Sequence, residues 1–173
     1  MNQVERTALI VDDEESIRYV LSRQLEKLGY KCVAVSSGWE ALRTINRQEF
    51  ALVMLDVRMP GISGLEVLKA LRPNYPGTCV VMLTAVVDTL VAAKAMKSGA
   101  DDYITKPCSL EYLSARLRRG YERRELARQR EKESLTFGRE AQKGVDLLSI
   151  TNDLVHQQVA AYERTILRPT ISE

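Results

Sequence analysis

Residues 51–56 read Ala-Leu-Val-Met-Leu-Asp, five apolar residues in succession followed by an acidic one. A strand that is apolar at consecutive positions has both faces buried, which is typical of a parallel sheet covered by helices on both sides. We therefore predict a central strand at Leu52–Leu55. Four more short segments, mostly apolar, predict further strands: Thr7–Val11, Lys31–Val35, Cys79–Thr84 and Asp102–Ile104.

Between the predicted strands, apolar residues recur at steps of three and four, which places them on one face of a helix. Ser37, Asp88 and Ser109 stand where a helix N-cap is expected, and Gly29 and Gly99 stand where a helix C-terminus favours a left-handed residue. Five βα units in about 115 residues indicate a doubly wound α/β domain with a five-stranded parallel sheet.

Composition narrows the class of protein. The 173 residues carry 25 basic and 23 acidic side chains, so a net charge of +2 gives no argument for a wholly basic nucleic-acid binder. Cys32, Cys79 and Cys108 form no metal-binding pattern and are expected to be reduced thiols. No apolar stretch is long enough for a membrane helix, so we expect no membrane insertion and a cytoplasmic protein.

Polar residues follow the predicted strands at the edge where an open α/β sheet binds ligands. Asp12 and Asp13 follow the first strand, Asp56 ends the third, Thr84 ends the fourth and Lys106 follows the fifth. Each carboxylate alone is also a common turn residue or N-cap. Their convergence on one edge favours a functional site.

This group of side chains fits phosphoryl chemistry. Clustered carboxylates repel one another, and oxygen ligands of this kind suit Mg²⁺. Lys106 and Thr84 can pair with phosphoryl oxygens. Asp56 ends the most apolar strand and is the candidate nucleophile, which would form an acyl phosphate.

Four motifs carry a specific resemblance: Val-Asp-Asp-Glu at 11–14, Leu-Asp-Val-Arg-Met-Pro-Gly-Ile-Ser-Gly at 55–64, Leu-Thr-Ala at 83–85 and Gly-Ala-Asp-Asp-Tyr-Ile-Thr-Lys-Pro at 99–107. In this order and spacing they resemble the receiver domain of bacterial two-component response regulators. The resemblance covers residues 5–120 and implies a flavodoxin-like receiver fold.

The resemblance implies a role for each matching residue. Asp56 would accept a phosphoryl group from a sensor histidine kinase or phosphotransfer protein. Asp13 and Asp56 would bind Mg²⁺ directly, Asp12 would bind it through water, and the backbone carbonyl of Arg58 would complete the protein ligands. The protein would then be no enzyme beyond self-phosphotransfer and autodephosphorylation on Asp56.

Three further residues take switch roles by the same resemblance. Lys106 would contact the phosphoryl group, with a cis peptide bond to Pro107. Thr84 would swing to hydrogen-bond the phosphoryl group, and the rotamer of Tyr103 would report the phosphorylated state. The alternative for Tyr103 is a half-buried core tyrosine without a switch role.

Residues 121–173 match no output domain and are predicted to form a helical extension. The segment 116–130 holds seven arginines and two glutamates. This pattern fits a nucleic-acid or anionic surface, but interleaved glutamates favour a solvated helix that extends the last receiver helix. We therefore do not expect nucleic-acid binding.

A heptad pattern runs through 141–166, with apolar or aromatic residues at alternating steps of four and three and Asn152 at one of these positions. It favours a coiled coil that makes a homodimer, because a buried Asn can fix the register of such a coil. The alternative is an amphipathic helix that folds back on the receiver or pairs with another helix of the same chain. Gly138 suggests a hinge near 136–138.

Three function classes follow. The first is a response regulator whose output is protein interaction or oligomerisation through the helical tail. The second is a DNA-binding transcriptional regulator that uses the basic tail, although no helix-turn-helix pattern is present. The third is an Asp-nucleophile phosphotransferase, against which Asp56-Val57-Arg58 lacks the second Asp of the Asp-x-Asp pattern.

Overall fold

The computed structural model describes residues 6–86 and 88–135. All neighbouring strands pair in parallel, in the order β2-β1-β3-β4-β5. The predicted doubly wound sheet is therefore confirmed, with β3 at its centre. The strands are β1 (Thr7–Val11), β2 (Lys31–Val35), β3 (Leu52–Asp56), β4 (Cys79–Thr84) and β5 (Asp102–Thr105).

Helices follow the strands along the chain. The first four are α1 (Glu15–Lys27), α2 (Gly38–Ile45), α3 (Gly64–Leu71) and α4 (Thr89–Lys97). The chain divides into two units, 1–128 and 129–173. A fifth helix, α5, occupies 110–128 of the first unit, and residues 129–135 of the second unit are also helical.

The sheet has a core on each face, because alternate residues of its strands point to opposite sides. On one face, Val53 and Leu55 pack in a cluster with residues of α2, α3 and α4. On the other, Leu52 and Met54 pack with residues of α1 and α5. This burial on both sides is the reason that β3 is apolar at consecutive positions.

The predicted helix ends are confirmed. The side chains of Ser37, Asp88 and Ser109 each accept a hydrogen bond from a backbone amide in the first turn of the helix that follows. Gly29 and Gly99 have φ values of 85° and 99°, in the left-handed region that costs glycine little.

A buried ionic cluster attaches α5 to the sheet, and we call it the helix anchor. It consists of Arg72, Asp101, Asp102, Arg116 and Arg124. Asp101 accepts a hydrogen bond from Arg72 at 3.0 Å and lies 3.8 Å from Arg124. Arg116 of α5 bonds Asp102 at 2.6 Å and also the backbone carbonyl of Tyr103.

The helix anchor changes the interpretation of the basic segment. Arg116 and Arg124 hold the helix to the receiver and are largely buried rather than solvated. The sequence could not distinguish them, because the acidic partners lie in β5 and the turn before it. The remaining arginines of the segment are exposed, as expected of a solvated helix: Arg118, Arg119, Arg123, Arg128 and Arg130.

Several expectations concern residues after 135, where the described part of the chain ends. The helical prediction for 121–173 is met over 121–135, where the structure describes it. The hinge near 136–138, the heptad segment 141–166 and the homodimer that rests on it lie outside the described residues and stay predictions. In the described part of the chain, no helix has the length and apolar character needed to cross a membrane.

Candidate phosphoacceptor site

Four side chains meet at the carboxyl end of the sheet. Asp12 directly follows β1, Asp56 and Thr84 are the last residues of β3 and β4, and Lys106 directly follows β5. Because β1 and β3 are adjacent and their following helices lie on opposite faces, Asp12 and Asp56 flank the switch point where such sheets bind ligands. Asp12 is fully buried, and Asp56 and Thr84 are each 4% exposed.

The ammonium of Lys106 joins the carboxylates. Its Nζ lies 2.8 Å from Asp12 Oδ2 and 3.0 Å from Asp56 Oδ1. A third carboxylate oxygen, Oε1 of Glu14, lies 3.4 Å away. We call Asp12, Glu14, Asp56 and Lys106 the carboxylate site.

Backbone amides fix the two buried carboxylates. The amide of Arg58 donates to Asp56 Oδ2 at 3.0 Å, and the amide of Glu14 donates to Asp12 Oδ1 at 2.9 Å. The peptide bond between Lys106 and Pro107 is cis, as the resemblance implied. Each carboxylate thus has one oxygen held by a backbone amide and the other paired with Lys106.

The charges of Asp56 and Lys106 affect each other's pKa. Burial raises the pKa of Asp56, and the ammonium of Lys106 and the amide of Arg58 oppose that rise. Burial also disfavours the charged form of Lys106, but its contacts with Asp12 and Asp56 outweigh burial and raise its pKa. Lys106 is therefore fully protonated near neutral pH and can act as a fixed positive charge.

Close backbone packing supports Asp56. The first residue of α3 is Gly64, whose Cα lies against the backbone carbonyl of Asp56 so closely that a Cβ would overlap the carbonyl oxygen. A capping box formed by Ser63 and Glu66 fixes the start of the same helix. The loop after β3 therefore returns to the backbone of Asp56.

The two predicted switch residues lie nearby in the sheet. The hydroxyl of Thr84 donates to the carbonyl of Val86 at 2.9 Å and accepts from its amide at 3.2 Å. Tyr103 is half-buried and packs against the core shared by α2, α3 and α4. Its hydroxyl is buried and has no hydrogen-bond partner among the described residues.

The remaining predicted metal ligands are less closely gathered. Asp13 is exposed, and residues 6–86 and 88–135 contain no group of three or more His, Cys, Asp or Glu side chains that could hold a metal ion. The donor chemistry nevertheless fits Mg²⁺. Two buried carboxylates, Asp12 and Asp56, share one buried ammonium and leave an excess of negative charge on oxygen donors.

Comparison with known proteins decides the family. The family model described as "Response regulator receiver domain" matches residues 8–118. The chain belongs to this family. The receiver matches a transcriptional regulatory protein of Bacillus subtilis, YkoG, with 44% identity over 110 residues, covering 64% of the chain and 48% of that protein.

Two other matches agree with this assignment. The alkaline phosphatase synthesis transcriptional regulatory protein PhoP of Bacillus subtilis is 38% identical over 124 residues, covering 72% of the chain and 52% of PhoP. The solved structure of chemotaxis protein CheY4 of Vibrio cholerae has a TM-score of 0.64 and 32% identity, covering 67% of the chain and 98% of CheY4. The chain spans about half the length of the curated relatives it matches.

The comparisons support some of the expectations from the sequence and not others. They confirm the receiver assignment and its fold. They give no support to the expectation against nucleic-acid binding, because two of the proteins named above, YkoG and PhoP, are described as transcriptional regulatory proteins. One residue of the site went unrecognised. The resemblance implied no role for Glu14, yet it contacts Lys106, and its position directly after the Asp12-Asp13 pair is the one sequence signal for it.

Proposed function

We propose that this receiver is a phosphorylation-controlled switch in which Asp56 accepts a phosphoryl group from a sensor histidine kinase or a phosphotransfer protein. The observation that carries the proposal is the ammonium of Lys106, which lies between the buried carboxylates of Asp12 and Asp56 at the switch point of a receiver fold. We propose no other enzymatic activity than transfer to and hydrolysis from Asp56.

The transfer balances without further reactants. The P–N bond of a phosphohistidine breaks, the imidazole keeps the electron pair, and a carboxylate oxygen of Asp56 forms the new P–O bond. Lys106 would exchange one carboxylate contact for a phosphoryl oxygen. The amide of Arg58 already holds the other oxygen of Asp56 and would keep the nucleophile oriented.

We assign Mg²⁺ as the cofactor, held by Asp12, Asp13, Asp56 and the backbone carbonyl of Arg58. When bound, the cation would neutralise charge on the transferring phosphoryl oxygens. The support is the excess of carboxylate oxygens over positive charge at this edge, described above. Asp13 is exposed at the same edge and can turn towards a cation without loss of packing.

Thr84 is the proposed link from Asp56 to the rest of the domain. A phosphoryl group adds close to two negative charges and three acceptor oxygens. For Thr84 to donate to it, the hydroxyl must leave the carbonyl and amide of Val86, so the segment after β4 would lose two hydrogen bonds. This exchange would couple phosphorylation to the start of α4, and Tyr103 would follow as the reporting residue.

The proposed output is protein interaction or homodimerisation through residues 121–173. A second candidate is DNA binding, which is favoured by the names of the relatives, two of which are transcriptional regulatory proteins. The exposed arginines of 116–130 would then contact the phosphate backbone. Fluorescence anisotropy with duplex DNA at several salt concentrations distinguishes the two, because phosphate contacts give steeply salt-dependent binding.

The direct test is incubation with acetyl phosphate and Mg²⁺, followed by intact-mass spectrometry. We expect wild-type protein to gain one phosphoryl group and Asp56→Asn to gain none. Omission of Mg²⁺ should suppress the gain. Light scattering on the same samples reports whether assembly changes with phosphorylation. Absence of a mass shift in wild-type protein would contradict the proposal.

A further inference from the structure

We propose that Glu14 is a positioning residue for Lys106: it holds one N–H group of the ammonium in the unphosphorylated receiver and releases it to the incoming phosphoryl group. This inference rests on the proposed function and adds a residue to it. It predicts that Glu14 slows phosphorylation of Asp56.

The local geometry directs Glu14 to this position. Glu14 is the N-cap residue of α1, but its side chain makes no capping hydrogen bond to the helix. Its own amide donates to Asp12 Oδ1, which turns the chain so that Oε1 reaches Nζ of Lys106 at 3.4 Å. Glu14 is therefore tied to the carboxylate site at both its backbone and its side chain.

In this arrangement Lys106 donates to Asp12 and Glu14 and forms an ion pair with Asp56. A lysine ammonium has three N–H groups. Three carboxylate oxygens, from Asp12, Asp56 and Glu14, lie within 3.4 Å of Nζ. A phosphoryl oxygen can gain a contact with Lys106 only if one of them gives up its own.

The contact between Glu14 and Lys106 is the one that we expect to be lost. Its distance to Nζ is the longest of the three, and its side chain is 58% exposed, whereas those of Asp12 and Asp56 are 0% and 6% exposed. An exposed carboxylate regains water when it is released, but a buried one does not. Glu14 also adds negative charge where an anionic phosphoryl donor must approach.

The test compares Glu14→Gln with Glu15→Gln. Glu15 is the next residue, is exposed in the first turn of α1, and gives the same change of charge. Phosphorylation rates with acetyl phosphate are measured at several Mg²⁺ concentrations and extrapolated to saturation, so that an effect on metal affinity is separated. We expect Glu14→Gln to be about two- to fivefold faster than wild type, the range for one exposed ion pair, and Glu15→Gln to match wild type.

A second measurement reports the contact itself without phosphorylation. In protein labelled with ¹⁵N-lysine, we expect the buried ammonium of Lys106 to exchange its protons slowly and to give an NMR signal, which Lys106→Arg assigns by its disappearance. We expect this signal to shift in Glu14→Gln and not in Glu15→Gln. Circular dichroism confirms that all three variants fold.

The outcomes separate the two proposals. If wild-type protein takes up no phosphoryl group, the proposed function is refuted, and the proposed role of Glu14 is refuted with it. If wild-type protein is phosphorylated but Glu14→Gln is equal to Glu15→Gln or slower than wild type, the role of Glu14 is refuted and the proposed function stands. An unmoved Lys106 signal in Glu14→Gln also refutes the role of Glu14.

Discussion

The carboxylate site and the helix anchor are ionic clusters of one sheet with mostly buried members, and they have opposite charge balances. In the carboxylate site, three carboxylates share one ammonium. In the helix anchor, three guanidiniums share two carboxylates. The cations also differ: lysine is a compact point charge that can change partners, whereas arginine holds several acceptors in a fixed plane.

This difference indicates which of the two clusters can take part in a reaction. A site with excess negative charge and one compact ammonium can take up a dication and exchange contacts with a phosphoryl group. A cluster of planar guanidiniums, bonded to backbone carbonyls as well as carboxylates, instead fixes one arrangement of β5 and α5. We therefore assign function to the first cluster and attachment of α5 to the second.

The largest effect is expected at the carboxylate site. Asp56→Asn should abolish phosphorylation by acetyl phosphate, because the amide is not a nucleophile towards phosphorus, whereas Asp101→Ala should still be phosphorylated. Intact-mass spectrometry of both variants measures this. Phosphorylation of Asp101→Ala at the wild-type extent is the control, and a phosphorylated Asp56→Asn would refute the assignment of the acceptor.

The next effect concerns stability and the helix anchor. Asp101→Ala should lower the free energy of unfolding by about 3–5 kcal/mol, because it leaves the buried guanidinium of Arg72 and the amide of Val80 without their shared carboxylate. Urea denaturation measures the loss. Asp88→Ala, which removes only the exposed N-cap of α4, should cost about 1 kcal/mol. Equal losses in the two variants would contradict an anchoring role.

A smaller effect joins the fold to the carboxylate site. Gly64→Ala should destabilise the domain by about 1–3 kcal/mol and slow phosphorylation, because the new Cβ displaces the backbone carbonyl of Asp56. Thermal unfolding and the acetyl phosphate assay measure the two effects. Gly77→Ala is the matched control, since a Cβ there meets nothing within 4 Å. Wild-type behaviour of Gly64→Ala would mean that the strand end tolerates a shift.

The smallest effect is a pH dependence on the sheet face that carries α1 and α5. Burial raises the pKa of Cys32 from 9.0 to about 11. Between these values the thiol of the unfolded chain ionises and that of the folded chain does not, so the free energy of unfolding should fall as the pH rises through this range. Cys32→Ala should lessen this fall in urea titrations at pH 8 and pH 10. An unchanged pH dependence would show that Cys32 is accessible to water.

Much of the fold could be predicted from local signals. The continuous apolar residues of β3 indicated a sheet covered on both faces, and Ser37 and Gly29 marked helix ends through preferences that act within a few residues. The order of carboxylates, hydroxyl and lysine along the chain likewise placed Asp12, Asp56 and Lys106 at one edge, because parallel strands all end there.

The contacts between distant residues could not be predicted in this way. Arg116 and Arg124 belong to a run of similar arginines, and only the packing of α5 against β5 decides which of them are buried. Glu14 follows an acidic pair and has the pattern of a solvated helix start. Its contact with Lys106 depends on how the loops after β1 and β5 meet.

Periodicity, capping and motif spacing are local properties of the chain, so the five βα units, the receiver family and the residues at the carboxyl end of the sheet could be predicted from the sequence alone. The tertiary structure decided how the charges pair: one ammonium among three carboxylates at one end, and guanidiniums around two aspartates under α5. Glu14 and Lys106, for example, are 92 residues apart in the chain, and no local pattern specifies the distance between their side chains.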